Sequence, residues 1–408
     1  MPELSSGVSR DGALRGRGSI VASLVAGQLI SSTGSQMTWV ALPWFVLVTT
    51  GSPVRAGAVV AAELLPIALF GIPAGRLVDR LGARGTLLLC EAARAPLVAA
   101  IPFLHVSGAL SFPILLGMVF VLGMFFAPYY AAQRVAVAQV AGADERRVGV
   151  SNAFLQAAAR LPVLVGSAAG GALIGLIGPL PVLYVNALTF LLSFVLVAVS
   201  LPPSPRSRPG EDRRATPLLA GLTAIAGHPL LRAVTLTGVL SELAFQALQV
   251  ALPVLVISRY GEEPGLTGAF LAAWGAGALT GCLLAAAAIL RVPARRLVAW
   301  GALAQSLPLW ALPVTSSAGI AITVLALSGI ANGMSVAPKT TLLTLGVEES
   351  VRAHTMSAYI TALTLAGPLG VLLAGLGFAS LGVEPVLGAI AALGTVAGLG
   401  LFAACRNT

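Results

Sequence analysis

The stretch GRLVDRLGAR, residues 75–84, sets Arg76, Asp79, Arg80 and Arg84 within ten residues of a chain in which 10% of residues are charged and 57% are hydrophobic. Gly75 and Gly82 bracket the charges, so the spacing reads Gly-x-x-x-Asp-Arg-x-Gly-x-Arg. Apolar runs lie on both sides of it. A short charged loop between two apolar runs is what a polytopic membrane protein leaves at one face of the bilayer. Glycine there allows a tight turn, and an aspartate can face the positive end of a neighbouring helix.

Outward from this loop the same pattern recurs along the 408 residues. Apolar stretches near 20–48, 56–78, 86–104, 109–136, 148–176, 180–201, 232–258, 265–290, 295–314, 317–338, 352–380 and 384–404 each approach the roughly 20 residues that cross a bilayer. We number them spans 1 to 12. Together with a mean hydropathy of +0.94 they predict an all-α membrane protein. Several exceed the minimum length, which implies tilt or extension beyond the hydrocarbon. Span 1 is too long for a cleaved leader and is expected to stay in the membrane. The polar break PPSPRSRPGEDRRATP at 202–217 reads as a linker, and the segment after it, to residue 233, reads as an interfacial amphipathic helix. The expected organisation is a tail at 1–19, a six-span bundle at 20–201, the linker with its helix at 202–231, a second bundle at 232–404 and a tail at 405–408.

The formal charge of +9 is better read by loop than as a signal for nucleic acid. Arg55 and Arg259 fall in one set of loops and Arg94 and Arg160 within spans. The other basic residues collect in the opposite loops, the linker and the tails, which places both termini in the cytoplasm of a bacterial cell. Cys90, Cys282 and Cys405 have no metal-ligand spacing, and GxxxxGK[ST], HExxH, CxxC and GxSxG patterns are missing, so neither a metal, a cofactor nor an enzymatic activity is expected. No selectivity loop or charged pore ring suggests a channel.

The halves repeat. VALP stands at 40–43 and again at 250–253, and Gln36 and Gly51 have Gln246 and Gly261 at the same offset; GAVVAA at 57–62 returns as GAFLAA at 268–273. Gly123, Met124, Ala127 and Pro128 recur as Gly333, Met334, Ala337 and Pro338. A duplicated six-span unit and alternating access follow from such repetition.

Six spans plus six, with Gly75, Asp79, Arg80, Gly82 and Arg84 in the loop after span 2, resembles the major facilitator superfamily over roughly residues 20–404. QLISSTGSQMTWVALPWFVLVTTGS in span 1, CEAARA at 90–95, SNAFLQAAARLPVLVGSAAGG in span 5 and AGHPLLRA before span 7 are similar to its branch of drug:proton antiporters that holds the macrolide-efflux proteins and the enterobactin exporter. The resemblance implies that the loop gates the inner side, with Asp79 facing span 11 near Arg352 or, alternatively, Arg134. The corresponding LRVPARRL of the second half lacks an acid, so the latch would be one-sided. Gly166, Gly170 and Gly171 match glycines of the antiporter motif in span 5, with Ser167 in place of its proline, and Gly367 with Pro368 gives span 11 a related GPLG. Small residues at such spacing also serve plain helix packing.

Candidate cavity residues come from helical spacing. Ser32, Gln36, Trp39 and Pro43 share one face of span 1, and Glu242, Gln246, Gln249 and Pro253 form the matching stripe of span 7. Asn152, Gln156, Arg160 and Ser167 make a third in span 5. Polar groups at this depth belong against protein or water. Glu63 and Glu242 are the candidates for proton coupling, since desolvation favours the neutral form of a carboxyl, and Glu242 is the first choice as the acid that lies on a repeat-related cavity stripe while Glu63 sits in a flanking span; each is equally a possible structural partner for Arg160. Glu91 and Arg94, three residues apart, read as a structural pair. The resulting expectation is a monomeric, proton-driven exporter of small hydrophobic or amphiphilic molecules, with Trp39, Trp44 and Trp274 suited to bulky apolar ligands. The alternative is a proton-coupled importer of a small nutrient with the same fold.

Overall fold

The structure, a computed structural model, describes residues 7–141, 160–201, 218–261, 263–288, 291–345, 347 and 349–407. Every regular element among them is helical. Spans 1 to 6 become α1 (Gly7–Thr50), α2 (53–81), α3 (83–106), α4 (Phe112–Met124 and Phe126–Ala141, with a break at Phe125), α5 (Leu161–Ile177) and α6 (Pro179–Ser200). The short helix after the linker is α7 (Leu218–Gly227). Spans 7 to 12 are α8 (Pro229–Leu255, continued by a π turn over Val256–Tyr260), α9 (Pro264–Ala288), α10 (Ala294–Ser306, continued by a 3-10 turn over Leu307–Ala311), α11 (Ala318–Leu345), α12 (Glu349–Leu381) and α13 (Val383–Asn407). Eight helical stretches among the described residues are individually long and apolar enough to cross a membrane.

Local chemistry sets the helix ends. Ser52 and Ser111 cap α2 and α4 by accepting from the amides of Arg55 and Ile114, each followed by a proline in the first turn, where its missing N–H costs nothing. Gly82 separates α2 from α3 with φ 71° and ψ 165°, a backbone conformation that a side chain would strain. The second glycine of the opening motif is therefore the hinge of its turn. His228 breaks the chain between α7 and α8, so Pro229–Arg232, expected in the interfacial helix, belong to the membrane helix instead. α7 packs against α12.

The duplication reappears as packing. Pro43 and Pro253 lie inside α1 and α8, and Gly51 and Gly261 turn the chain after them with φ of 62° and 80°. Gly123 of α4 leaves room for the backbone of α2 at Glu63, as Gly333 of α11 does for α9 at Ala278. The face holding Gly51 and Gly261 is termed the Gly51 end, and the opposite face, from which the linker departs, the linker end.

The two halves meet at the Gly51 end. One continuous hydrophobic core there runs from Val40, Leu42 and Val59 of the first half to Leu252, Phe270 and Val371 of the second. At the linker end each half keeps its own cluster, around Leu87 and Cys90 in the first and around Leu231 and Val298 in the second. Glycines set the closeness of the joint. A β-carbon on Gly171 of α5 would lie 2.7 Å from the Cα of Gly268 on α9, and one on Gly57 of α2 would lie 3.1 Å from the carbonyl oxygen of Val371 on α12.

Candidate functional site

Two clusters of buried charge occupy the interior. The first lies within the first half and is organised by Arg94 of α3, which is 2% exposed. Its guanidinium sits between the rings of Phe126 and Phe190, at 4.5 and 4.1 Å from their centroids, and its Nη2 donates to Ser35 Oγ of α1 at 2.9 Å. Both Glu63 of α2 and Glu91 of α3 are buried and feel its charge. The indole of Trp39 faces Glu63. Around Glu91 stand the hydroxyls of Ser193, Ser31 and Tyr129, although neither carboxylate oxygen completes a well-formed hydrogen bond. Two carboxyl groups thus lie in the field of one guanidinium, in a medium where an unpaired charge is costly.

The second cluster lies where the halves face each other. Along α8, Gln249 Nε2 donates to Gln246 Oε1 at 2.8 Å and Gln246 Nε2 donates to Glu242 Oε1 at 2.9 Å. The stripe expected from helical spacing is therefore a hydrogen-bonded chain that ends on a carboxylate. Two cations oppose that carboxylate: Arg160, at the N-terminal edge of the described part of α5, and Lys339 of α11. Arg160 also stands over Trp274 at 5.8 Å, and Trp274 is paired with Phe245 at 4.2 Å between centroids. A cavity inside the second half, lined by Ser241, Gln305 and Ser328, ends on the same two rings.

One contact line joins the clusters. A β-carbon on Gly367 of α12 would meet Leu64, the neighbour of Glu63, at 3.5 Å and the Cγ of Gln246 at 3.6 Å. Pro368 follows within the same helix.

Other expected site residues do different work. Ser32 accepts from Gln28 within α1 at 2.8 Å. The β-carbon of Gln36 sits over Gly166, and the backbone of Met37 over Gly170. With Gly171 set against Gly268, the three glycines of α5 receive α1 on one side and α9 on the other. Trp44 is buried in the common core. In the opening motif Arg80 is exposed, while Arg84 Nη2 donates to the carbonyl of Ala198 at 2.8 Å, tying the loop to the end of α6 in its own half. Asn152 and Gln156 lie outside the described residues, as do the surroundings of Gly75 and the side chains of Asp79, Arg134 and Arg352, and with them the expected latch. Of the two acids considered for Arg160, Glu242 lies in the field of Arg160 and Glu63 in that of Arg94, neither in an ion pair within 4 Å among the described residues.

Sequence reasoning missed Lys339, the sole lysine of the chain, by ending span 10 at Pro338. The repeat held the signal. Met334, Ala337 and Pro338 match Met124, Ala127 and Pro128, which puts Lys339 in register with Tyr129, well inside span 4; in the structure both are buried. Among the described residues no group of three or more His, Cys, Asp or Glu could hold a metal ion.

Solved structures share this architecture. A bacterial homologue of the human lysosomal transporter Spinster, inward-facing and unoccupied, superposes with a TM-score of 0.75 over 96% of this chain and 97% of its own at 16% identity. The nucleoside transporter NupG does so with 0.77 over 94% and 99% at 13% identity. Among curated sequences, the multidrug efflux pump Tap of Mycobacterium tuberculosis and of Mycobacterium bovis is 26% identical over 357 residues, 85% of this chain and 84% of theirs. Tap of Mycolicibacterium fortuitum is 28% identical over 267 residues, 62% of this chain and 64% of its own. The profile of the Major Facilitator Superfamily matches residues 24–371, and with its duplicated six-helix halves the chain belongs to that superfamily.

Proposed function

We propose that the protein is a secondary active exporter that drives small hydrophobic or amphiphilic molecules, such as drugs, secondary metabolites or siderophores, out of a bacterial cell against an inward flow of protons. The observation that carries the reading is the pair of buried charge clusters set beside a joint that is closed at one end only. Basic loops favour the cytoplasm for the linker end. With that orientation the shared core at the Gly51 end and the separate clusters at the linker end correspond to an inward-facing state. Export rather than import is favoured by the relatives named multidrug efflux pump Tap.

Coupling belongs to the first cluster. Glu63 and Glu91 share one cation, and two carboxyls so placed do not both ionise cheaply, so the pair is suited to hold and release one proton. Glu242 instead faces two cations. Of the first pair, Glu63 adjoins Leu64 and the Gly367 contact to the second half, whereas Glu91 faces only its own bundle. Glu63 is therefore the coupling carboxyl, and movement of the second half against α2 is what exposes it.

The test uses proteoliposomes with an imposed pH gradient. Glu63→Gln should abolish gradient-driven transport while sparing substrate counterflow, which needs alternating access but no net proton movement. Glu242→Gln should keep its gradient response. Full gradient-driven transport by Glu63→Gln would move coupling elsewhere, and substrate-stimulated proton movement in the same direction as the substrate would make the protein an importer.

A further inference from the structure

The two clusters hold three carboxylates and three cations, and these are not evenly divided. Glu63 and Glu91 stand with Arg94; Glu242 stands with Arg160 and Lys339. With every group ionised, the cluster between the halves carries one positive charge too many. Among the described residues the groups facing Glu242 are Arg160 of α5, Lys339 of α11 and Tyr359 of α12, and none of these brings a second acid.

Geometry sharpens the imbalance. Lys339 is 7% exposed, and among the described residues neither it nor Arg160 makes an ion pair within 4 Å, the ion pair there being Arg259 with Glu384. The hydrogen bond to Glu242 comes from Gln246 rather than from either cation. A buried ammonium without a carboxylate in contact is an expensive arrangement, and a transporter recovers that cost when a ligand supplies the anion. Beside it, Arg160 stands over Trp274, and Trp274 with Phe245 offers a broad aromatic surface.

We propose that Lys339 and Arg160 together receive an anionic group of the transported molecule, so that the cargo is an amphiphile whose carboxylate, sulfonate or similar group lies between them while its apolar part rests toward Phe245 and Trp274. Glu242 keeps the site from being too strongly cationic, which allows release as well as capture. The proposal rests on the exporter reading for the word cargo, though the ligand chemistry does not depend on which ion drives transport.

The experiment compares 1-pyrenesulfonate with a pyrene of equal size bearing a trimethylammonium group, each titrated into the purified full-length protein in liposomes. The wild type should bind the sulfonate at least about ten-fold more tightly, the worth of one charge-assisted contact. Lys339→Gln should lose most of that preference and leave the cationic probe unweakened, and Lys339→Arg should restore the preference, which separates a binding role from misfolding. Equal affinity of the wild type for both probes overturns the proposal. So does a Lys339→Gln variant that keeps the preference, or one that weakens both probes alike, as a purely conformational lysine would. A pH gradient then tells the two readings apart. A protein that prefers the sulfonate but moves neither probe keeps the site and sinks the pump, whereas one that moves both without preference keeps the pump and sinks the site.

Discussion

Arg94 illustrates how much one residue decides in a membrane interior. Its charge answers two carboxyl groups, its plane lies between Phe126 and Phe190, and its Nη2 holds Ser35 of a third helix. Replacing it with Leu leaves Glu63 and Glu91 buried without a counter-charge, and the loss of one partner from a buried pair costs about 3–5 kcal/mol. We expect Arg94→Leu to lower the unfolding temperature of the detergent-solubilised protein sharply, and Arg94→Leu with Glu91→Gln to recover part of the loss. Equal unfolding temperatures for the single and double variants would show that the residue acts through packing alone. Arg295, exposed at the start of α10, is the control, and its replacement by Ala should have little effect. At this scale the sequence was partly legible. Spacing alone places Glu91 and Arg94 together and orders Glu242, Gln246 and Gln249 into a stripe. It does not show that Glu63 lies in the field of Arg94, because the two stand on different helices, nor that Lys339 is inside, because a lysine after a proline reads as the end of a span.

At the scale of helices, close approach and end fixation divide the work. Gly171 and Gly268 let α5 and α9 touch backbone to backbone, with only 2.7 Å available for an added carbon. Leucine at position 268 forces the helices apart at the Gly51 end and disfavours the closed joint seen here. Ser167, 1% exposed on the same helix as Gly171, reports it. In a background lacking Cys90, Cys282 and Cys405, a cysteine replacing Ser167 should resist an impermeant maleimide applied from the Gly51 side, and should react once Gly268→Leu is added. Unchanged protection would mean that this crossing does not control the joint. Fixation is the part of Arg259, in the π turn after α8. Its Nη1 donates to the carbonyls of Leu312 and Thr315, and its Nη2 to Pro313 and to Glu384 Oε1 at 2.8 Å. Arg259→Ala should therefore cost about 1–3 kcal/mol, the range for lost charge-assisted hydrogen bonds. Glu384→Ala should matter less, since its side chain is 61% exposed and screened by water. Thermal unfolding of the two variants checks the order. The spans themselves were readable from hydropathy; an arginine gathering three loop carbonyls was not, because loop carbonyls leave no mark in a sequence.

Across the whole molecule, the duplication gives two similar scaffolds and the exceptions to it give the chemistry. Glu63 and Trp274 occupy equivalent places after GAVVAA and GAFLAA. Tyr129 and Lys339 do the same after the matching Met, Ala and Pro positions. One half therefore holds an acid beside Arg94 where the other presents an indole to Arg160, and one half shows Glu91 a phenol where the other shows Glu242 an ammonium. The repeat was legible as an offset of 210 or 211 residues, so fold and pseudo-symmetry followed from sequence; which departures mattered needed the packing that brings separate helices together. A consequence can be tested. If the first cluster belongs to one half and the second spans the joint, and Gly367 is a contact between them, enlarging Gly367 should impair the mutual movement of the halves more than the binding of substrate. Gly367→Val presses on Leu64 and Gln246, both within 3.6 Å of an added β-carbon. We expect substrate to bind with little change while gradient-driven transport falls by about ten-fold or more, as binding and the mutual movement of the halves become separate. Pyrene-probe titration and proteoliposome transport, measured on one preparation, give both quantities. A parallel fall in both would place Gly367 in the binding site itself, and no fall in either would show that the two clusters communicate by another route.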